Sequence, residues 1–271
     1  MPTGSITPPA SGNFLYVNSQ PGDFAGQGLE SLFVPADSTI SGSLSGAGDY
    51  VNGWVYQALG GGYARFWYVR IAAPPGQALA VGSYIGAARA DFRQSGEPGL
   101  EVTGSGGHCG TVLGRFDVQE ISFWPNGEVR TFQATFEQHC NYSTAAMFGR
   151  FRLETSPPLQ LGVTIREEGS VTGKTIIATI EGTVSCSRSA TVDVTITLTQ
   201  VQTKGVTVTG TVTVPINCTA PSVAWSQSVW PQTGAFKAGS GTATISATAC
   251  EPDRKCVSAT ATRTVKLNLG K

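Results

Sequence analysis

Apolar and polar residues alternate at every second position along most of this chain. The stretch "ATVDVTITLTQ" puts Val192, Val194, Ile196 and Leu198 on one side and Thr191, Asp193, Thr195 and Thr197 on the other. Such a period sets one row against a core and the other in water, which marks antiparallel sheets. "GVTVTGTVTVPINC" repeats the pattern, with Val206, Val208, Val212, Val214, Ile216 and Cys218 inward. "KTIIATIEGTVSC" places Ile176, Ala178, Ile180, Val184 and Cys186 on one face. "PSVAWSQSVW", "SGTATISATAC" and "CVSATATRTVKLNL" supply further strands. Helical periodicity is nearly absent. Short strands at this density predict an immunoglobulin-like sandwich over residues 163–271.

The earlier part reads as strands too. They fall at "NFLYVNSQ", "SLFVPADSTISGSLSG", "YVNGWVYQAL", "YARFWYVRIAAP", "LAVGSYIGAARADF", "GLEVTGSG", "GTVLGRFDVQEISFW", "EVRTFQATFEQ" and "MFGRFRLE". They predict a jelly-roll-like sandwich over residues 13–155. Pro157 and Pro158 in "ETSPPLQLG" suit an extended spacer, so residues 156–162 are expected to link the domains. Residues 1–12 are expected to form a flexible N-terminal segment. The predicted fold class is therefore all-β, with two antiparallel β-sandwich domains.

Composition narrows the setting. Formal net charge is zero and only 13% of residues are charged, so no basic field exists to hold nucleic acid. No apolar run approaches the ~18 residues of a membrane span, and no membrane insertion is expected. The 6 cysteines include no C-x-x-C and read as disulfides of an oxidising compartment. "MPTGSITPPASG" shows no export signal and reads as the start of a mature, secreted chain.

Both histidines directly precede a cysteine, in "GSGGHCG" and "FEQHCNYS". Asn126-Gly127 marks a hairpin between the segments. Pairing Val118 with Ala134 and Phe116 with Phe136 brings apolar residues together, and the same register sets Val112 opposite Cys140. Cys109 then lies a few residues away, within disulfide reach of Cys140. Neighbouring strand residues face opposite ways, so an inward Cys140 leaves His139 outward with Glu137 and Thr135. A zinc site would need wider ligand spacing than these adjacent pairs give. A disulfide is thus expected over a metal site built on His108 and His139 with Asp117 or Glu137. Cys186 and Cys218 share an inward phase and are expected to pair, and Cys250 and Cys256 to close the turn around "EPDRK".

No G-x-S-x-G or other catalytic constellation is present, and no cofactor is implied. Arg115 opposite Glu137 reads as a cross-strand ion pair. Aromatic residues are the better binding candidates. "NGWVYQ" puts Trp54 and Tyr56 on one face, and "RFWYVR" puts Phe66 and Tyr68 on one face and Trp67 on the other. Trp54, Trp67, Tyr68 and Trp124 are the candidate ligand-binding residues, as platforms for sugar rings.

"GTVSCSRSATVDVTITLTQVQTKGVTVTGTVTVPINC", "GAFKAGSGTATISATAC" and "CVSATATRTVKL" resemble the small Ig-like repeats of secreted actinobacterial proteins. "PGDFAGQG" through "GRFDVQEISFWPNGEVRTFQATFEQHC" resembles a domain of exported bacterial proteins. Both resemblances imply export and β-sandwiches and carry over no functional residue. The expected role is a non-enzymatic recognition or adhesion protein binding a glycan or other surface polymer. A structural subunit that binds a protein partner or self-assembles is the first alternative, and a secreted hydrolase the second.

Overall fold

A computed structural model describes residues 5–104, 107–172, 176–251 and 255–270. Strands dominate it, and the chain divides into two compact units, Met1–Pro158 and Leu159–Lys271.

The first unit contains β1 (Phe14–Ser19), β2 (Glu30–Phe33), β3 (Thr39–Leu44), β4 (Tyr50–Gly60) and β5 (Tyr63–Ala72). β6 (Gly82–Arg89), β7 (Gly99–Thr103), β8 (Val112–Phe123), β9 (Val129–Cys140) and β10 (Ala146–Glu154) follow. "SLFVPADSTISGSLSG", expected as one strand, is two. Val34 accepts hydrogen bonds from the amides of Asp37 and Ser38, and that turn separates β2 from β3. The strands run in the order β2-β1-β10-β9-β8-β6-β7-β5-β4-β3. β6 and β7 touch only through the parallel pairs Ala88↔Gly99 and Arg89↔Leu100. The sheet folds over at this short seam, and its two halves pack face to face. Gly53 of β4 shows how closely they approach, because a Cβ there would overlap the ring of Phe151 on β10. Phe33, Val69, Leu100, Phe116, Phe132 and Phe151 fill the space between the halves. Within the segment expected to be flexible, Glu30 accepts hydrogen bonds from the amides of Ser5 (3.1 Å) and Ile6 (3.0 Å). Residues 1–4 of that segment lie outside the described residues.

The hairpin register is the one the apolar pattern predicts: Val118↔Ala134, Phe116↔Phe136 and Val112↔Cys140. Cys109 and Cys140 are disulfide-bonded with Cα atoms 5.2 Å apart. Residues 105 and 106 of the glycine-rich approach lie outside the described residues. Gln138 shares the inward phase of Phe136 and Cys140 and is fully buried. Its amide explains its place. β7 pairs β5 on one side and, beyond Leu100, no strand on the other among the described residues. Gln138 fills that gap, its Oε1 accepting from the Val102 amide (2.8 Å) and its Nε2 donating to the Val102 carbonyl (2.8 Å). Nε2 also lies 3.6 Å from Cys109 Sγ.

The second unit contains β11 (Leu161–Ile165), β12 (Glu168–Val171), β13 (Ala178–Cys186) and β14 (Ala190–Val201). β15 (Thr207–Cys218), β16 (Ser222–Val229), β17 (Gly239–Ala249) and β18 (Val257–Leu269) complete it. β11 and β16 flank β13, and β18-β17-β14-β15 form the facing layer, joined through β12. This is an immunoglobulin-like sandwich arrangement. Leu159 already packs in this core, and β11 begins inside the span expected as linker. Ile180, Val184, Val194, Ile196 and Leu198 are buried as their alternation requires. Val212, Val214 and Ile216 of the expected inward rows are half-buried against the core, and two other members are exposed. Ile176 precedes β13 at φ 58° and is exposed, and Val206 is exposed ahead of β15. Both sit in turns, where the two-residue period no longer governs direction. Residues 173–175, where that expected strand starts, lie outside the described residues. Cys186 pairs with Cys218 and Cys250 with Cys256, with Cα atoms 6.3 Å and 4.1 Å apart. Residues 252–254 of the turn between the last pair lie outside the described residues. Three disulfides suit an oxidising environment. Among the described residues, no helix is long and apolar enough to cross a membrane.

Replacing Gln138 by Leu strands the Val102 amide and carbonyl in the core, and each buried unsatisfied group costs about 1–3 kcal/mol. The Q138L variant is expected to lose about 2–5 kcal/mol in urea denaturation. A loss below about 0.5 kcal/mol would refute the role assigned to Gln138.

Candidate functional site

The β4–β5 pairing decides which aromatic residues meet. Trp54 stands opposite Tyr68 and Tyr56 opposite Phe66. All four project from the outer face of their half-sheet, because their neighbours Val55, Trp67 and Val69 point into the core. Two ring pairs result. Trp54 and Tyr68 have centroids 6.0 Å apart, and Tyr56 and Phe66 5.0 Å, both tilted. Hydroxyl residues flank them. Ser41 and Thr39 on β3 oppose Trp54 and Tyr56, and Thr103 on β7 opposes Tyr68. Together with His108 they line a cavity of ≈ 390 Å³. That volume lies within the ~300–1,000 Å³ of small-ligand sites, and an apolar lining with a few polar groups is their usual composition.

The four candidates named from sequence separate. Trp54 is 37% exposed and, with half-buried Tyr68, belongs to the outer aromatic row. Trp67 is 9% exposed and packs beside Phe33 at 6.0 Å, so it is a core residue that also touches the cavity. Trp124 is not among the residues lining this cavity. Its indole N–H donates to Thr155 Oγ1 (3.0 Å), and Arg130 stacks over its ring at 5.1 Å. Tyr56 and Phe66 join the row only because the strand register aligns them. The signal for both was already in the sequence, since each lies two residues from Trp54 or Tyr68.

Beyond Tyr68 the outer face turns polar. Asn52 Oδ1 accepts from the Tyr68 hydroxyl (2.8 Å) and from Arg70 Nε (2.7 Å). Arg70 pairs with Asp91 and stacks over the Tyr50 and Tyr68 rings. Burial, only partly opposed by the Arg70 charge, pushes the Tyr68 phenol up to about 12, and the charges of Asp91 and Glu101 add to the rise. Glu101 opposes Arg70 on β7, and its Oε1 receives Arg89 Nε (3.2 Å) and His108 Nδ1 (3.3 Å). Sequence reasoning weighed His108 only as a metal ligand and missed Glu101 altogether. A lone acid in "GLEVTGSG" carries no signal until β5 and the His108 segment close around it.

His139 lies outward, as its phase predicts, and is fully engaged. Its Nε2 lies 3.1 Å from Glu137 Oε1 and its Nδ1 3.2 Å from the Ser143 carbonyl. Arg115 reaches Glu137 Oε2 at 2.8 Å, which is the expected cross-strand pair. Burial alone would raise the Glu137 carboxyl, but hydrogen bonds from His139 and Arg115 outweigh it and hold the carboxyl below its ordinary value. Asp117 and Glu137 line a separate depression of ≈ 240 Å³ on the outer face of the other half-sheet. Each histidine is thus bound to a different carboxylate. Among the described residues, no three His, Cys, Asp or Glu side chains are grouped to hold a metal ion.

Because Tyr68 keeps its proton to about pH 12 while an unfolded tyrosine ionises near 10, its contribution to stability is whole below about pH 10. It is lost as the pH rises toward 12. A difference titration of tyrosinate absorbance between wild type and Tyr68→Phe is expected to place this phenol last or nearly last. Ionisation of Tyr68 near pH 10 would contradict the packing described.

No protein-family model matches the chain, and no curated protein matches it at significant similarity.

Proposed function

We propose that the protein is a secreted, non-enzymatic recognition protein whose first unit binds a glycan in the aromatic groove, with the second unit as a spacer. The observation that carries this reading is the outer row of Trp54, Tyr68, Tyr56 and Phe66 above a cavity rimmed by Thr39, Ser41 and Thr103. Large rings on a solvated sheet face lose burial unless something covers them. A pyranose offers an apolar C–H face to such rings and hydroxyls to the polar rim. The three disulfides and the low charge content agree with an extracellular setting.

One observation favours a structural subunit as the second reading. β15 ends its sheet, spans 12 residues and carries no charged side chain. Uncharged edges invite strand addition, although Pro215 and the Gln232 amide on the Thr209 carbonyl blunt this one. Light scattering on the full chain is expected to give the monomer mass at every concentration. A mass that grows with concentration favours assembly.

On a glycan array the full chain is expected to bind at least one glycan, and Trp54→Ala to weaken that binding by about tenfold or more. Trp124→Ala, outside the groove, is expected to bind as wild type does. An unchanged array profile for Trp54→Ala would sink the groove as the site.

A further inference from the structure

Behind the polar end of the groove, next to Thr103 and His108, lies a buried carboxylate that is only half satisfied. Glu101 is 2% exposed, and while its Oε1 receives Arg89 and His108, its Oε2 is buried with no hydrogen-bond partner among the described residues. Buried acceptors are nearly always paired, and an unpaired carboxylate oxygen is costly. The place of this one matters. Glu101 stands two residues before Thr103 on the same face of β7, and Thr103 lines the groove. His108 bridges the two, held by Glu101 through Nδ1 yet 64% exposed at the groove wall. A carboxylate only accepts, so Nδ1 carries the proton, and when the ring is neutral Nε2 is left as an acceptor. This end of the groove therefore accepts and calls for a ligand that donates.

Charge limits the ligand further. Among the described residues, no lysine or arginine lines the groove. Two nearby cations are committed elsewhere, and Arg65 lines the neighbouring depression rather than the groove. Arg89 is bound to Glu101 and lies over the Phe92 ring at 4.9 Å, and Arg70 is bound to Asn52 and Asp91. An anionic sugar would find no guanidinium in the groove lining.

We propose that His108 is the specificity-determining contact of the groove, that Glu101 is its positioning residue, and that the ligand is an uncharged pyranoside. One face of the sugar stacks on Trp54 and Tyr68. Its hydroxyls donate to His108 Nε2, while Glu101 holds the ring through Nδ1. Uronates and sulfated sugars are excluded. This rests on the groove being a glycan site, and the test separates the two claims.

Affinity electrophoresis of the full chain is run in gels containing neutral polysaccharides (a β-glucan, a mannan, a galactan) or anionic ones (polygalacturonate, alginate). Wild type is compared with His108→Ala, His108→Gln, Glu101→Gln and Trp54→Ala. Retardation is expected in a neutral gel and in no anionic gel. His108→Ala is expected to bind about tenfold more weakly, a change of about 1.4 kcal/mol, and His108→Gln to recover part of that through its amide oxygen. Glu101→Gln is expected to weaken binding and to shift the His108 ring away from its Nδ1–H tautomer in proton–nitrogen correlation spectra, which a merely structural role would not do. Should Glu101→Gln fail to fold, the two exposed His108 variants decide. Wild-type binding by both His108 variants, with Trp54→Ala inactive, overturns this inference and leaves the groove standing. Retardation by anionic gels alone overturns the ligand class. No retardation in any gel overturns both readings.

Discussion

The first unit depends on how β7 is held. This five-residue strand is hydrogen-bonded along β5 but meets β6 at only two positions, at the seam where the sheet folds over. The open backbone of Val102 would sit unpaired in the core. Gln138 closes it with a side-chain amide that imitates one rung of a ladder. The Cys109–Cys140 bond sits against the same amide and ties the segment after β7 to the end of β9. Closing a loop of 31 residues removes unfolded-chain freedom worth about 2–4 kcal/mol. Amide and disulfide together set where β7 lies, and β7 carries Thr103 and Glu101.

The groove follows from that placement. β5 presents Phe66 and Tyr68 outward, and β7 beside it supplies Thr103 and then the buried Glu101. His108 comes from the segment that the disulfide anchors, one residue before Cys109. The doubled His-Cys pattern thus resolves into two different arrangements. Each cysteine is the staple, and each histidine is left to a nearby carboxylate. His139 is consumed by Glu137 and the Ser143 carbonyl on the outer face of the other half-sheet. His108 keeps one nitrogen for the groove. Adjacent residues with the same two-letter signature reach different chemistry because their neighbouring strands differ.

Much of the architecture was legible in the chain. Alternation located the strands of the second unit, and the Asn126-Gly127 turn with the Phe116 and Phe136 phases set the hairpin register to the residue. The inward phases of Cys186 and Cys218 foretold their bond. Reading was weakest where periodicity stops. "SLFVPADSTISGSLSG" hid a turn, and Ile176 and Val206 continued an apolar row on paper while the backbone had already left the strand. At the candidate site, strand phase separated Trp67 from Trp54, but phase alone could not say which face was solvated.

The sequence by itself determined the class of fold, the register that brings Cys109 near Cys140 and the outward or inward direction of most side chains, because these obey local, two-residue geometry and turn chemistry. Only the tertiary structure decided that Trp54, Tyr56, Phe66 and Tyr68 form one row, that Trp124 lies apart from it, and that Glu101 sits behind His108. Those facts depend on which strands are neighbours and on where β7 is held. Neighbours far apart in sequence are chosen by core packing and by the satisfaction of buried backbone groups, which leave no periodic trace along the chain.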